Sequence, residues 1–221
     1  MNRAEKRYKK KIAKKTAKNK RQQQPNLALG IEHHNAGRLK DAIDIYELIL
    51  QKDPNNAQAH SNLGVAFQQQ GHLENAIKSF HKALKIKPDF AKAQSNLGVA
   101  LHKNGDMENA IICFIKAIDL MPSNADAHNN LGFALLDQMK FNDAVNSFQK
   151  ALAIKPDFAK AHSNLGTTLN KLGKIDDAIN HHKLAIKLSP NDHHLLTNFA
   201  ETIQSVSFTF FYHDLEKILL N

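Results

Sequence analysis

Thirteen histidines and a single cysteine are the side chains of this 221-residue sequence best suited to hold a metal or attack a substrate. A zinc site needs three or four such ligands converging within about 2 Å of one ion. His60, His128 and His162 recur at multiples of 34 residues. That spacing sets them a structural repeat or more apart, too far to share an ion, so they read as packing residues. The pairs His181–His182 and His193–His194 could approach across a turn, but no Cys or acid completes a ligand set. Cys113 is the single cysteine, which excludes an internal disulfide, and between Ile112 and Phe114 it suits a small packed side chain. No phosphate loop, nucleophile elbow, His-Glu-x-x-His or dinucleotide fingerprint occurs. The sequence thus predicts no cofactor, no metal and no enzyme. What remains chemically distinctive is a series of amides: Asn62, Asn96, Asn130, Asn164 and Asn198, each 34 residues from the last. Each offers a carbonyl acceptor and an NH₂ donor.

The elements that carry this series repeat with it. Prolines fall at Pro54, Pro88, Pro122, Pro156 and Pro190, glycines at Gly30, Gly64, Gly98, Gly132 and Gly166, and alanines at Ala42, Ala76, Ala110, Ala144 and Ala178. A second glycine series, Gly37, Gly71, Gly105 and Gly173, is broken only by Met139. The chain therefore divides into five tandem units, residues 23–56, 57–90, 91–124, 125–158 and 159–192, with a partial sixth, the array spanning 23–206. Each unit reads as two helices, the second unit as about Ala57 to Gln70 and about Glu74 to Lys87. Proline stops the second helix, and Asn55, Asp89, Ser123, Asp157 and Asn191 are expected to cap the helix that follows. The Gly37 series ends the first helix where a left-handed residue is needed, and Met139 there should cost about 1 kcal/mol. Gly64 and Ala76 let the paired helices approach, while Leu63, Phe67, Leu73, Ile77, Phe80, Leu84 and Ile86 fill the remaining space. One pair cannot bury that surface alone, so the pairs must stack.

The net charge of +9 is confined to one end. Residues 1–21 hold eleven basic side chains and one acid, so the remainder is close to neutral. Such a block, here residues 1–22, is expected to be disordered, and either contacts a polyanion through residues 1–21 or merely solubilises the chain. No apolar run is long enough to span a membrane and the start lacks the apolar core of a secretory signal, so the predicted location is cytoplasmic. Residues 207–221 carry Phe208, Phe210, Phe211 and Tyr212, then Leu215, Ile218 and Leu219 at helical spacing. They are expected to form a capping helix or a junction to a missing domain, with self-association through this end as the sharper outcome.

A 34-residue unit with Asn-Leu-Gly in its first helix, Ala and Phe in its second and a closing Pro resembles the tetratricopeptide repeat (TPR), over roughly residues 23–204. The resemblance implies an all-α, right-handed superhelical solenoid whose concave face is lined by the first helices and grips peptides. Units carrying Pro-Asp-Phe-Ala-Lys-Ala-His-Ser-Asn-Leu-Gly are similar to the TPR region of O-linked N-acetylglucosamine transferase, where an asparagine ladder in this register holds a peptide backbone. The peptide contacts so implied are Asn62, Asn96, Asn130, Asn164 and Asn198, the preceding Ser95, Asn129 and Ser163, and Gln68, His102 and Asn170 a turn further on. Ser61 and Thr197, Gln204, and Gln69, Lys103, Asp137 and Lys171 share that face, while the first unit has Ala28 in place of the asparagine. A carboxylate clamp of the chaperone-binding kind is not implied. Its lysine position holds Ser61, Ser95 and Ser163, its asparagine position holds Val65, Val99 and Thr167, and no Arg follows Arg38. The expected function is a non-catalytic scaffold that binds an extended peptide or a protein partner. The alternative is a substrate-presenting module of a larger glycosyl-, methyl- or sulfotransferase.

Overall fold

The computed structural model describes residues 26–204. The basic tail and the aromatic C-terminal segment, with the polyanion and self-association expectations attached to them, lie outside the described residues. Ten helices follow in order: α1 (Leu27–Asn35), α2 (Leu39–Lys52), α3 (Ala57–Gln69), α4 (Leu73–Ile86), α5 (Ala91–Lys103), α6 (Met107–Leu120), α7 (Ala125–Asp137), α8 (Phe141–Ile154), α9 (Ala159–Lys171) and α10 (Ile175–Leu188). Residues 193–204 are also helical, and no strand occurs among the described residues.

The described residues form two compact units, divided between Lys87 and Pro88. In the first, α1 pairs with α2 and α3 with α4, and α2 packs on α3. In the second, α5 pairs with α6, α7 with α8 and α9 with α10, while α6 packs on α7 and α8 on α9. The first helices of successive pairs, α5, α7 and α9, also touch in turn.

Prolines set the helix ends. α2, α4, α6, α8 and α10 each stop two residues before a proline, which neither donates an N–H nor tolerates a helical residue before it. The caps sit one residue later than the sequence predicts. Asn56 Oδ1 accepts the Ala59 N–H at 2.9 Å and Asn124 Oδ1 accepts the Ala127 N–H at 3.1 Å. Asn55, Asp89, Ser123 and Asp157 instead form the second corner of a turn whose first corner is the proline. α5 and α9 start after Phe90 and Phe158, without a side-chain cap.

Each first helix ends in a left-handed residue. Gly71 and Gly105 have φ of 81° and 86°, and Met139 adopts the same region at 58°. Its bonds match theirs. The Lys140 N–H reaches the Leu135 carbonyl at 2.9 Å as the His72 N–H reaches Phe67 at 2.9 Å, so the turn has not adjusted to the side chain. Met139 is 77% exposed, so its side chain returns little packing for this strain. Met139→Gly is expected to stabilise the chain by about 1 kcal/mol, a rise in melting temperature of roughly 2–4 °C. An unchanged or lower melting temperature would show that the left-handed methionine is not strained.

Small residues make the core. Ala76, Phe80 and Ala83 on α4 are fully buried, as are Ala144, Phe148 and Ala151 on α8, each set lying on one helical face. Leu63 is buried with them, whereas Phe67, Leu73, Ile77, Leu84 and Ile86 are only half-buried. Tyr46, Phe114 and His182 take the place of Phe80 in the other pairs. Full burial of such an aromatic ring contributes about 2–3 kcal/mol. Three pairs have phenylalanine there and one has tyrosine; the fifth has an imidazole.

Candidate functional site

The asparagine series occupies one face of successive first helices. Asn62 lies on α3 in the first unit. Asn96, Asn130 and Asn164 lie on α5, α7 and α9 in the second, followed by Asn198 in the helical run 193–204. All five are half-buried, and the Asn62 Nδ2 atom is itself buried without a partner. Their hydrogen bonding divides them. Asn164 Nδ2 donates to Asn129 Oδ1 at 3.0 Å, and Asn198 Nδ2 donates to Ser163 Oγ at 2.9 Å, each bond linking a helix to the preceding repeat. Asn62 Oδ1 accepts from Gln58 Nε2 at 2.9 Å. Among the described residues the Asn96 side chain meets no hydrogen-bond partner, and Asn130 only accepts a long contact from Asn129 Nδ2, at 3.5 Å.

Ser95, Asn129 and Ser163, at the preceding position, are only 7%, 7% and 1% exposed. They lie behind the asparagine face rather than on it, and Asn129 and Ser163 serve as acceptors for the next asparagine. Gln68, His102 and Asn170 are half-buried near the ends of α3, α5 and α9. His102 Nε2 donates to Asp137 Oδ2 at 2.8 Å, and its ring lies 5.4 Å from that of Phe133.

The amide series alone passes over two features of this face. Phe133 is 41% exposed, at the position that Val99 and Thr167 hold in the adjoining repeats. Four residues before Asn96, Asn130 and Asn164 stand Lys92, Asp126 and Lys160, all exposed. The 34-residue register that locates the asparagines also locates both, because residues three and four apart share a helical face.

Three histidines tie proline turns to helices. The ring nitrogens Nε2 of His60, His128 and His162 lie 3.0, 3.0 and 2.9 Å from the carbonyls of Pro54, Pro122 and Pro156. A carbonyl only accepts, so each ring carries its proton on Nε2 and ties the proline turn to the following helix. His162 Nδ1 is then an acceptor, and His181 Nδ1 donates to it at 3.0 Å with the rings stacked. His182 is fully buried against Gly166, and no hydrogen-bond partner meets its Nδ1. Burial, followed by the neighbouring His181, lowers its pKa to about 4. Burial likewise pushes the Cys113 thiol up, away from thiolate chemistry. Among the described residues no three His, Cys, Asp or Glu side chains gather as a metal site, and no helix is long and apolar enough to cross a membrane.

A family model described as TPR repeat matches residues 30–71, 69–105 and 100–139, and one described as Tetratricopeptide repeat matches 125–158 and 159–192. No curated protein matches the chain. Among solved structures, that of MamA is similar at 27% identity and a TM-score of 0.65, over 75% of this chain and 96% of that one. A thermophilic TPR protein of Thermus thermophilus is similar at 23% identity and a TM-score of 0.68, over 82% and 98%. PilF of Pseudomonas aeruginosa is similar at 23% identity and a TM-score of 0.72, over 87% and 89%.

Proposed function

The chain belongs to the tetratricopeptide repeat family, an all-α fold that serves as a protein-interaction scaffold, and from that premise we propose that it is a non-catalytic scaffold holding an extended peptide across its asparagines. The observation that carries this reading is the unspent hydrogen-bonding capacity of Asn96 and Asn130. Both are partly open to solvent on adjoining first helices, and neither NH₂ group is committed to the fold. An amide pairs equally with a backbone carbonyl and a backbone N–H, so such a row holds an extended chain largely regardless of its side chains. Asn164 and Asn198 keep a carbonyl for the same purpose while their NH₂ groups fasten successive repeats. In the first unit Asn62 differs, its carbonyl taken by Gln58 and its Nδ2 buried. In this reading Ser95, Asn129 and Ser163 support the row from behind, while His102 and Asn170 flank it.

The test selects random twelve-residue peptides for binding to the full chain and measures the affinity of the enriched ones by fluorescence anisotropy. Asn130→Ala is expected to weaken binding about fivefold, one hydrogen bond's worth of about 1 kcal/mol. The melting temperature should stay unchanged, because the Asn130 NH₂ makes no bond within the fold. Failure to enrich any peptide, or equal binding by Asn96→Ala, Asn130→Ala and wild type, defeats the reading. Asn164→Ala is a built-in contrast. It loses the bond to Asn129 as well, so it should lower stability by about 1 kcal/mol on top of its effect on binding.

A further inference from the structure

On the asparagine face of the second unit the charged residues alternate in sign from one repeat to the next. The α5 stripe reads Lys92, Asn96, Val99 and Lys103. The α7 stripe reads Asp126, Asn130, Phe133 and Asp137, and the α9 stripe reads Lys160, Asn164, Thr167 and Lys171. Within each stripe the spacings are four, three and four residues, which place all four side chains on one face of the helix. The six charged side chains are exposed. Among the described residues none of the four lysines is in a salt bridge or hydrogen bond, and Asp126 also lacks a partner, so these charges are not consumed by the fold.

The middle stripe is more than a charge. Phe133 is exposed where its neighbours are Val99 and Thr167. His102, reaching over from α5, lies against its ring and donates to Asp137 Oδ2 at 2.8 Å. That bond fixes the carboxylate beside the ring and leaves its second oxygen able to accept. An open aromatic face next to an oriented carboxylate suits a cationic side chain, and a guanidinium above all. Its plane stacks on the ring while its N–H fork meets the carboxylate.

We propose that Phe133, His102 and Asp137 form an arginine-binding subsite in the asparagine groove, flanked on either side by lysines that take acidic side chains. This rests on the groove reading above and names the peptide class. Neighbouring helices pack about 8–10 Å apart, and a peptide in the extended polyproline II conformation advances about 3.1 Å per residue with about three residues per turn. One repeat therefore corresponds to about three peptide residues, and side chains three apart face the same way. The matching ligand carries an arginine with an acidic residue three positions before it and another three positions after it.

The experiment titrates the full chain into three fluorescein-labelled nine-residue peptides built on serine, and measures anisotropy. One has Arg at the centre and Glu three residues to either side. The second reverses those charges, and the third has Ser at all three places. The Arg-centred peptide is expected to bind at least tenfold more tightly than the charge-reversed one, with the margin shrinking as salt is raised. Asp137→Lys should abolish the margin. Phe133→Ala should weaken the Arg-centred peptide three- to fivefold while leaving the all-serine peptide unchanged. His102→Ala should weaken the Arg-centred peptide more than the all-serine one, by loosening the carboxylate. Each substituted side chain is at least partly exposed, and circular dichroism checks that the variants remain helical. Equal binding of the two charged peptides, or a margin that survives Asp137→Lys, overturns the subsite while the groove stands if the all-serine peptide still binds. If none of the three peptides binds, the groove reading falls with it.

Discussion

Gly132→Ala should destabilise the chain by about 2 kcal/mol, although on an exposed helix the same change is stabilising. A Cβ built on Gly132 would meet three atoms of the Phe148 ring, at 2.7, 2.8 and 3.0 Å. The ring is fully buried and packs with Ala144, Leu165 and Ala178, so it has no space into which to retreat. Overpacking of that kind costs about 1–3 kcal/mol, and a rigid ring belongs at the upper end. Alanine's better helix propensity returns up to about 1 kcal/mol. Thermal and urea unfolding of the two proteins checks the sign as well as the size. The pair should also be coupled. In a Phe148→Leu background, where the ring is gone, the alanine should cost much less or become favourable. Stabilisation in the wild-type background would show that the helices are not as close as Gly132 and Phe148 place them.

That close approach is legible in the sequence, because glycine and alanine recur in register where two backbones must meet. So are the helix ends, since proline leaves the preceding helix no choice. The capping residues are not. Asn55 and Asn56 are chemically identical, and which one caps depends on how many residues the Pro54 turn consumes, a property of backbone geometry. The asparagine row is visible as a period, but its internal fastening is not. Whether Asn164 spends its NH₂ on Asn129 or on a ligand depends on how closely two helices approach, and sequence spacing does not report that distance. The histidines show the same limit. His60, His128 and His162 repeat visibly, yet their bond to a proline carbonyl six residues earlier exists only because the turn folds back. Phe133 stands in an aligned column, where an aromatic among valine and threonine marks an open ring on that face.

His182 supplies the second large effect, and its sign follows from where the proton would have to go. Thr202 Oγ1 donates to the Asn198 carbonyl at 3.1 Å, so toward His182 Nε2, 3.0 Å away, it can only accept. His182 therefore carries its proton on Nε2, and Nδ1 is a bare lone pair. Protonation would add an N–H and a charge at Nδ1, a buried atom that no acceptor meets. The folded chain thus resists protonation down to about pH 4, while the unfolded chain takes up the proton near the ordinary 6.5. Between those values the unfolded state binds more protons, so stability falls as pH falls. The contribution is complete above about pH 6.5 and is lost on the way to pH 4, a total of about 3 kcal/mol. His181, whose pKa is lowered by burial and then by His162, pulls in the same direction. Replacing the imidazole by the ring that three other pairs use should remove most of this dependence. His182→Phe would sit against Gly166 as Phe80 sits against Gly64, and Thr202 would keep its bond to Asn198. Urea unfolding at pH 7.5 and pH 5 should show wild type losing about 2 kcal/mol between the two, and the variant losing far less. A variant as acid-sensitive as wild type would place the titrating group elsewhere. Because His182 also lies 6.1 Å from Phe199, the residues of 193–204 should be the first to lose hydrogen-exchange protection in acid. Uniform loss along the second unit would instead mean that the protonated histidine opens the whole stack at once.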